Sequence, residues 1–527
     1  MGFSIKQTER RSTTMAGTSA ARAGASLSSG AHQYIWPIAL IGMIGLFLVV
    51  KLRAGLDWDG DDALYVMNAQ NILNGLPYAH TPYLFNAANA INPASYPPGL
   101  PLLFAPVIHF LGVDFAALRM ECLVAFLLFL AVLWGLARRI AGPLPAALIV
   151  AAMGLQPFVV ESSNTPASEF PFLLFSYSSL LLFERLQSGN QDLPRSSVRW
   201  VLAALAMAGA YLTRSVGLLL FPAALASALP RGKSTVVSTL LMLAVAAVLC
   251  FAVQLIYRAD VGTYVHYFDQ FHAHDLVVNL LQYRHVTDGM LGTGRFGRWL
   301  CRLLLLIGAV GYLSRLRAFS ILESFFVLYL GLLLVYPISL EPARYEMPIW
   351  PLLFIYCAQG FAVIARQVSR RVENPAGALL AASLLWLYVG QLRQLDYGPI
   401  PYSVTAPQSS QLFAAVRSLP PGARILTRKP TILALYTQHG ASIWPEHFTD
   451  AGLEDYMRRL NIDYIVQDVP HLGVNPRAVD ELDPFIARNR SSMDLTFSNG
   501  WFNVYHMHSA SGPTALSLRD AADSAAN

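Results

Sequence analysis

Residues 116–137 read AALRMECLVAFLLFLAVLWGLA, and Arg138-Arg139 follow at once. A helix over this run rises about 33 Å at 1.5 Å per residue, enough to cross a bilayer's hydrocarbon core of about 30 Å. The paired arginines at its end mark the cytoplasmic side, because short cytoplasmic linkers are enriched in Lys and Arg. Similar runs fall at 34–50, 144–160, 167–183, 200–212, 215–229, 236–257, 300–313, 321–340, 349–364 and 376–392. A further run, 99–113, has two readings, a crossing or a helix lying at the interface.

Charge decides between them. Arg138/Arg139, Arg185/Arg195/Arg199, Arg231/Lys233, Arg315/Arg317 and Arg366/Arg370/Arg371 mark five short basic linkers. If the N-terminus is inside and 99–113 does not cross, all five are cytoplasmic; if it crosses, all five are outside. The sequence therefore predicts about eleven spans, with 99–113 interfacial or re-entrant. The expected fold is a polytopic α-helical membrane domain over 34–395. Its long outer loops are 51–115 and 258–299.

Composition agrees with this reading. Of 527 residues, 55% are hydrophobic and 13% charged, about half the charged share of a soluble domain. That excludes an ordinary soluble enzyme, a disordered chain and a coiled coil. The net charge of +5 says little for a membrane protein. Cys122, Cys250, Cys301 and Cys357 all lie in apolar stretches and read as small core residues. Residues 1–33, rich in Ser, Ala, Gly and Arg, read as a disordered cytoplasmic tail before a retained anchor. From 401 to 508 the composition turns globular. Strand patterns at 423–427, 441–444 and 463–466 alternate with helical patterns at 408–418, 450–460 and 477–488, which predicts a small extracytoplasmic α/β domain. Residues 509–527 read as a loose tail.

The sharpest chemical signal is Asp57-Trp58-Asp59-Gly60-Asp61-Asp62-Ala63-Leu64-Tyr65 in the first outer loop. Four carboxylates in six positions repel one another, which raises at least one pKa and suits a general base. The bland alternative is that Asp59 or Asp61 caps the helix that follows. A calcium loop fits less well, because the bidentate Glu such loops carry is missing. The following helix is expected to lie on the membrane surface, with Asn68, Gln70, Asn71 and Asn74 facing away from its apolar stripe.

Other signals sit at outer span ends. Tyr96-Pro97-Pro98-Gly99 is a rigid entry to run 99–113. In Glu341-Pro342-Ala343-Arg344-Tyr345-Glu346-Met347-Pro348, Arg344 could fork onto a lipid phosphate, or pair with Glu341 or Glu346. Arg214 lies between two apolar runs, and Glu161 and Glu169 flank a short outer loop. The second outer loop carries Tyr264, His266, Tyr267, Phe268, His272, His274 and Asp275, a mix that suits a sugar, a polar head group or a solvated surface. As a metal site the His-x-His spacing is weak, and the metal stays unknown.

Asp61-Asp62-Ala63-Leu64-Tyr65 and the helix to Gly75, Tyr96-Pro97-Pro98-Gly99, Leu212-Thr213-Arg214, and Arg344-Tyr345 with Pro348 and Pro351 together resemble the membrane-embedded GT-C glycosyltransferases. Protein O-mannosyltransferase and aminoarabinose-transferase relatives are bacterial members. The resemblance implies a hexosyl- or pentosyltransferase whose donor is a sugar on a polyprenyl phosphate. By position Asp61 would be the catalytic base, with Asp62 where relatives usually have Glu, and Asp59 close by. Glu169 stands where relatives often carry a second acid. Arg344, Tyr345 and Arg214 would hold the lipid phosphate, and Tyr65, Tyr96, His272 and His274 are weaker substrate contacts. The acceptor would be a lipid, glycan or protein, with membrane lipids as the other partner and no nucleic acid. Some members use a divalent cation and others none, so no other cofactor is expected. The expected location is the inner (plasma) membrane, with the active site on the periplasmic side. The rival class is a multi-pass transporter or lipid flippase, which would place its ligands near the midplane.

Overall fold

The computed structural model describes residues 35–58, 60–84, 92–166, 168–187, 193–260, 268, 271–292, 294–336, 342–368, 370–445, 448–469 and 482–508. The expected tails, 1–33 and 509–527, lie outside the described residues, as do Asp59, Tyr264, His266, Tyr267 and Glu341. The chain divides into two compact units. One comprises Met1–Ala54, Asn68–His80 and Pro93–Pro399; the other comprises Gly55–Met67, Thr81–Asn92 and Ile400–Asn527.

The first unit is helical. Its elements run α1 (Ile35–Val50), α2 (Gly60–Asn74, begun in the second unit), α3 (Gly99–Leu111), α4 (Phe115–Ala141), α5 (Pro143–Gly154), α6 (Pro157–Ser162), α7 (Glu169–Gln187) and α8 (Leu193–Thr213). They continue as α9 (Leu220–Ala228), α10 (Lys233–Tyr257), α11 (Asp275–Gly289), α12 (Arg295–Arg315), α13 (Ile321–Val335), α14 (Pro342–Glu346), α15 (Trp350–Val368) and α16 (Arg370–Leu392). Among the described residues, most of each expected apolar run falls in helix. Four segments are by themselves long and apolar enough to cross a membrane: Phe115–Ala141, Lys233–Tyr257, Arg295–Arg315 and Pro342–Gln367.

Local chemistry explains the breaks. Asp114 accepts from Ala116 N (2.8 Å) and starts α4, and Gly142, at φ 91°, ends it. The run 144–160 is cut after Leu155: Gln156 caps α6 by accepting from Val159 N (3.1 Å), and Pro157 takes the first helical position. α3 is about 20 Å long, too short to span the hydrocarbon core on its own.

Helix contacts in this unit rest on small residues and aromatic rings. Gly311 and Gly360 meet backbone to backbone where α12 crosses α15, leaving no room for a Cβ on either. Phe126 packs on Phe170 (centroids 4.5 Å) and Phe129 on Tyr177 (5.1 Å), which joins α4 to α7. The Tyr177 hydroxyl then donates to the Pro348 carbonyl (2.8 Å).

The second unit holds a five-stranded sheet ordered β2-β1-β3-β5-β4. Its strands are β1 (Arg424–Thr427), β2 (Gly440–Ser442), β3 (Tyr464–Asp468), β4 (Met493–Ser498) and β5 (Phe502–Met507). β1 pairs in parallel with β2 and β3, while β5 runs antiparallel to β3 and β4. The helices α17 (Pro407–Arg417), α18 (Pro430–Thr437), α19 (Asp450–Leu460) and α20 (Leu482–Arg488) accompany it. Leu426, Leu453, Ile465 and Phe485 are fully buried in its core. Tyr83 forms a bridge to Ala441, so a segment from the first outer loop covers the β2 edge.

Candidate functional site: a carboxylate between two guanidinium groups

Three elements of the first unit bring one acid and two bases together. Glu169 opens α7, where a negative charge is favoured by the helix dipole. Arg214 follows α8, whose last residue, Thr213, shares its hydroxyl between the carbonyls of Gly209 and Ala210 (both 2.9 Å). The chain then turns back so tightly that a Cβ on Gly217 would lie 2.6 Å from the Ala210 carbonyl carbon. Arg344 lies on the one-and-a-half-turn helix α14, bracketed by Pro342 and Pro348.

Both guanidinium groups donate to the same oxygen of Glu169, Arg214 through Nη1 and Arg344 through Nε. Arg214 Nη1 also donates to the Ser168 hydroxyl at 3.3 Å. The side chains are 5% exposed for Glu169, 14% for Arg214 and 18% for Arg344. Two cations around one carboxylate leave the trio one positive charge in excess.

Tyrosines build the wall. The Arg214 guanidinium stands over the Tyr345 ring (5.5 Å), Tyr345 packs on Tyr336 (5.7 Å), and the Tyr329 hydroxyl donates to the Tyr345 carbonyl (3.1 Å). Asn279 ties down the end of α13 by donating to the carbonyls of Leu334 (3.0 Å) and Tyr336 (2.7 Å). Glu346, one partner weighed for Arg344, is engaged by the Thr287 hydroxyl, and the acid that Arg344 meets is Glu169, which was not among them.

The proline-rich entry meets this site through Gly99. A Cβ there would lie 2.5 Å from the Leu212 carbonyl oxygen, so only glycine lets α3 start against the turn that carries Arg214. Tyr96 is buried, and its carbonyl accepts from the Tyr78 hydroxyl at 2.8 Å.

The acidic loop belongs to the second unit. Asp61 and Asp62 occupy the first turn of α2, where the helix dipole favours a negative charge; Asp62 is fully buried and Asp61 half-buried. Tyr65, one turn on, is buried as well. The expectation of a surface helix is corrected here. Asn68 and Asn71 do not face away: both are buried, and their amides donate to the carbonyls of Pro93 (3.1 Å), Tyr78 (2.9 Å) and His80 (2.8 Å). The loop after α2 wraps back over the helix, and the asparagines satisfy its carbonyls.

His272 and His274 are exposed at the start of α11, where Asp275 accepts from His272 N (2.8 Å) and meets His274 Nε2 (3.0 Å). Among the described residues no three His, Cys, Asp or Glu side chains group as metal ligands. Sequence reasoning missed Ser168, Tyr329 and Tyr336. Nothing local marks them, since each acts on a partner distant in the chain.

The chain is similar to known proteins in its fold, and to one family model over part of its length. Residues 95–257 match the family model of dolichyl-phosphate-mannose-protein mannosyltransferases. ArnT from Cupriavidus metallidurans, solved bound to undecaprenyl phosphate, is 14% identical with a TM-score of 0.58, covering 91% of this chain and 99% of its own. The Archaeoglobus fulgidus oligosaccharyltransferase AglB, solved with an inhibitory peptide and a dolichol-phosphate, is 14% identical with a TM-score of 0.55, covering 82% of this chain and 69% of its own. The mycobacterial arabinofuranosyltransferase AftD is 13% identical with a TM-score of 0.56, covering 89% of this chain and 41% of its own. These likenesses carry the fold. No match was found among curated proteins by sequence.

Proposed function

We propose that the protein is a glycosyltransferase that moves a sugar from a polyprenyl-phosphate-linked donor to an acceptor hydroxyl on the outer face of the inner membrane. The observation that carries this reading is the Arg214–Glu169–Arg344 cluster, a buried site with one positive charge in excess. A lipid phosphate is a poor base, so its departure needs a cation more than a proton. Two forked guanidinium groups supply that charge in a fixed geometry. The structures of ArnT with undecaprenyl phosphate and of AglB with dolichol-phosphate support a polyprenyl-phosphate ligand.

In this reading Asp61 takes the proton of the acceptor hydroxyl. The freed oxygen attacks the anomeric carbon, and the bond from that carbon to the phosphate oxygen breaks with its electron pair on the phosphate. Arg344 and Arg214 hold the phosphate charge as it develops. Attack opposite the phosphate inverts the anomeric centre, through an oxocarbenium-like transition state. In a topology of about eleven crossings, Glu169, Arg214 and Arg344 would face the periplasm, opposite the basic linkers.

The test is transfer of radiolabelled sugar from a panel of polyprenyl-phosphate donors to endogenous acceptors in membranes. Wild type, Asp61→Asn and Arg344→Ala are compared at equal protein levels. Transfer by the wild type alone is expected. Equal transfer by all three would remove these residues from the chemistry.

A further inference from the structure

The first unit contains a cavity of about 400 Å³ between α5, α12, α15 and α16, away from Glu169, Arg214 and Arg344. Its walls are apolar, with Ile149 and Ala152 on α5, Leu304 on α12 and Leu384 on α16. Along α15 the apolar wall runs from Leu353 to Ala362. Nine residues of helix rise about 14 Å, close to the roughly 15 Å depth of one leaflet's hydrocarbon. Arg366 lines the same cavity one turn further on.

Toward the ends of α4 and α7 the slot changes character. Ile140 and Gln359, joined by a hydrogen bond from the Gln359 amide to the Ile140 carbonyl, line both the slot and a polar recess. The recess is lined further by Arg139, Glu184 and Arg315. Arg315 is engaged by Glu323 (2.6 Å) and lies 3.9 Å from Glu184. Arg139, Arg315 and Arg366 stand around the slot and the recess. Arg139 and Arg366 are the exposed cations at their rim.

An apolar slot one leaflet deep, with Arg366 at its end and a basic recess sharing its Ile140–Gln359 wall, has the shape and charge of an amphiphile site. We propose that it binds an anionic phospholipid of the adjoining leaflet, with one acyl chain in the slot and its phosphate at Arg139 and Arg366. Basic recesses between membrane helices bind acidic head groups in this way. A polyprenyl phosphate has the same head chemistry, but its chain is several times longer than the slot. An acyl chain matches the slot's length more nearly, and the test below separates the two.

Cys301 and Cys357 line the slot and Cys122 does not, so the protein carries its own reporters. Purified protein in detergent is treated with N-ethylmaleimide, and each cysteine is followed by mass spectrometry. Phosphatidylglycerol at ten times its Kd should slow labelling of Cys301 and Cys357 about tenfold, leaving Cys122 unchanged. Phosphatidylcholine and polyprenyl phosphate should protect neither. Ala152→Phe fills the slot and should abolish protection, and Ala362→Phe does the same from the other wall should the first variant misfold. Arg366→Gln should weaken it. Equal protection by phosphatidylcholine or polyprenyl phosphate, undiminished protection in a filled slot, or unchanged wild-type labelling of Cys301 and Cys357 would overturn the proposal. Sugar transfer does not enter the readout.

Discussion

Glu169→Gln tests the cluster most sharply, because one carboxylate oxygen serves both arginines. The substitution keeps the volume and removes the charge. Arg214 and Arg344, at 14% and 18% side-chain exposure, are then left beside each other with like charges. Removing one partner of a buried ion pair costs about 3–5 kcal/mol, and here two pairs share the lost partner, so the upper end applies. At 1.4 kcal/mol per tenfold, about 5 kcal/mol is on the order of 10³–10⁴-fold in the folding equilibrium. α7, the turn after α8, and α14 all lose their common tie. The assay is the half-life of the folded protein in detergent at fixed temperature, with and without polyprenyl phosphate. The account predicts a much shorter half-life for Glu169→Gln than for wild type. It also predicts that polyprenyl phosphate lengthens the variant's half-life by a larger factor, because the phosphate replaces the lost carboxylate between the guanidinium groups. A variant as durable as wild type, or one that polyprenyl phosphate does not rescue, would refute the reasoning.

Other expectations follow from the same geometry. Arg344→Ala should lower sugar transfer about 10²–10³-fold, the usual loss when one donor to a developing charge is removed, and Arg344→Lys should restore only part, because the fork is gone. Gly99→Val should cost about 1–3 kcal/mol by driving α3 off the Leu212 carbonyl, read as lost yield and a lower melting temperature. Asn71→Leu leaves the carbonyls of Tyr78 and His80 without their buried donor and should cost about 1–3 kcal/mol, seen as faster proteolysis near residues 76–80. The Asp288 carboxyl is held below its usual range chiefly by its hydrogen bond from Arg302 (2.8 Å). Its contribution is present above the ordinary aspartate range near pH 4 and is lost as pH falls through the lowered value. Asp288→Asn should thus flatten the acid limb of a stability–pH curve.

The sequence made some features legible and hid others for physical reasons. α4 could be read almost to its ends, because an apolar run, Asp114 and Gly142 are all local signals. β4 carries a legible signal, since Met493–Ser498 alternates apolar and polar residues as a half-buried strand does, whereas in β5 the adjacent Val504 and Tyr505 break the alternation and the strand depends on its neighbours for definition. Asn68 and Asn71 misled because a helical wheel places amides outside; the loop that buries them returns from 7 to 25 residues away. Glu169, Arg214 and Arg344 were each singled out from their neighbours in the chain. Their meeting across 45 and 175 residues is a product of packing that no local pattern encodes.

The claim that Arg214 and Arg344 hold the donor's lipid phosphate is tested most directly by equilibrium binding of polyprenyl phosphate to purified wild type, Arg344→Ala and Asp61→Asn. The account predicts a Kd at least about tenfold weaker for Arg344→Ala, from the loss of a charge-assisted pair of about 1.5–3 kcal/mol, and an unchanged Kd for Asp61→Asn. Binding that Arg344→Ala leaves intact would contradict it.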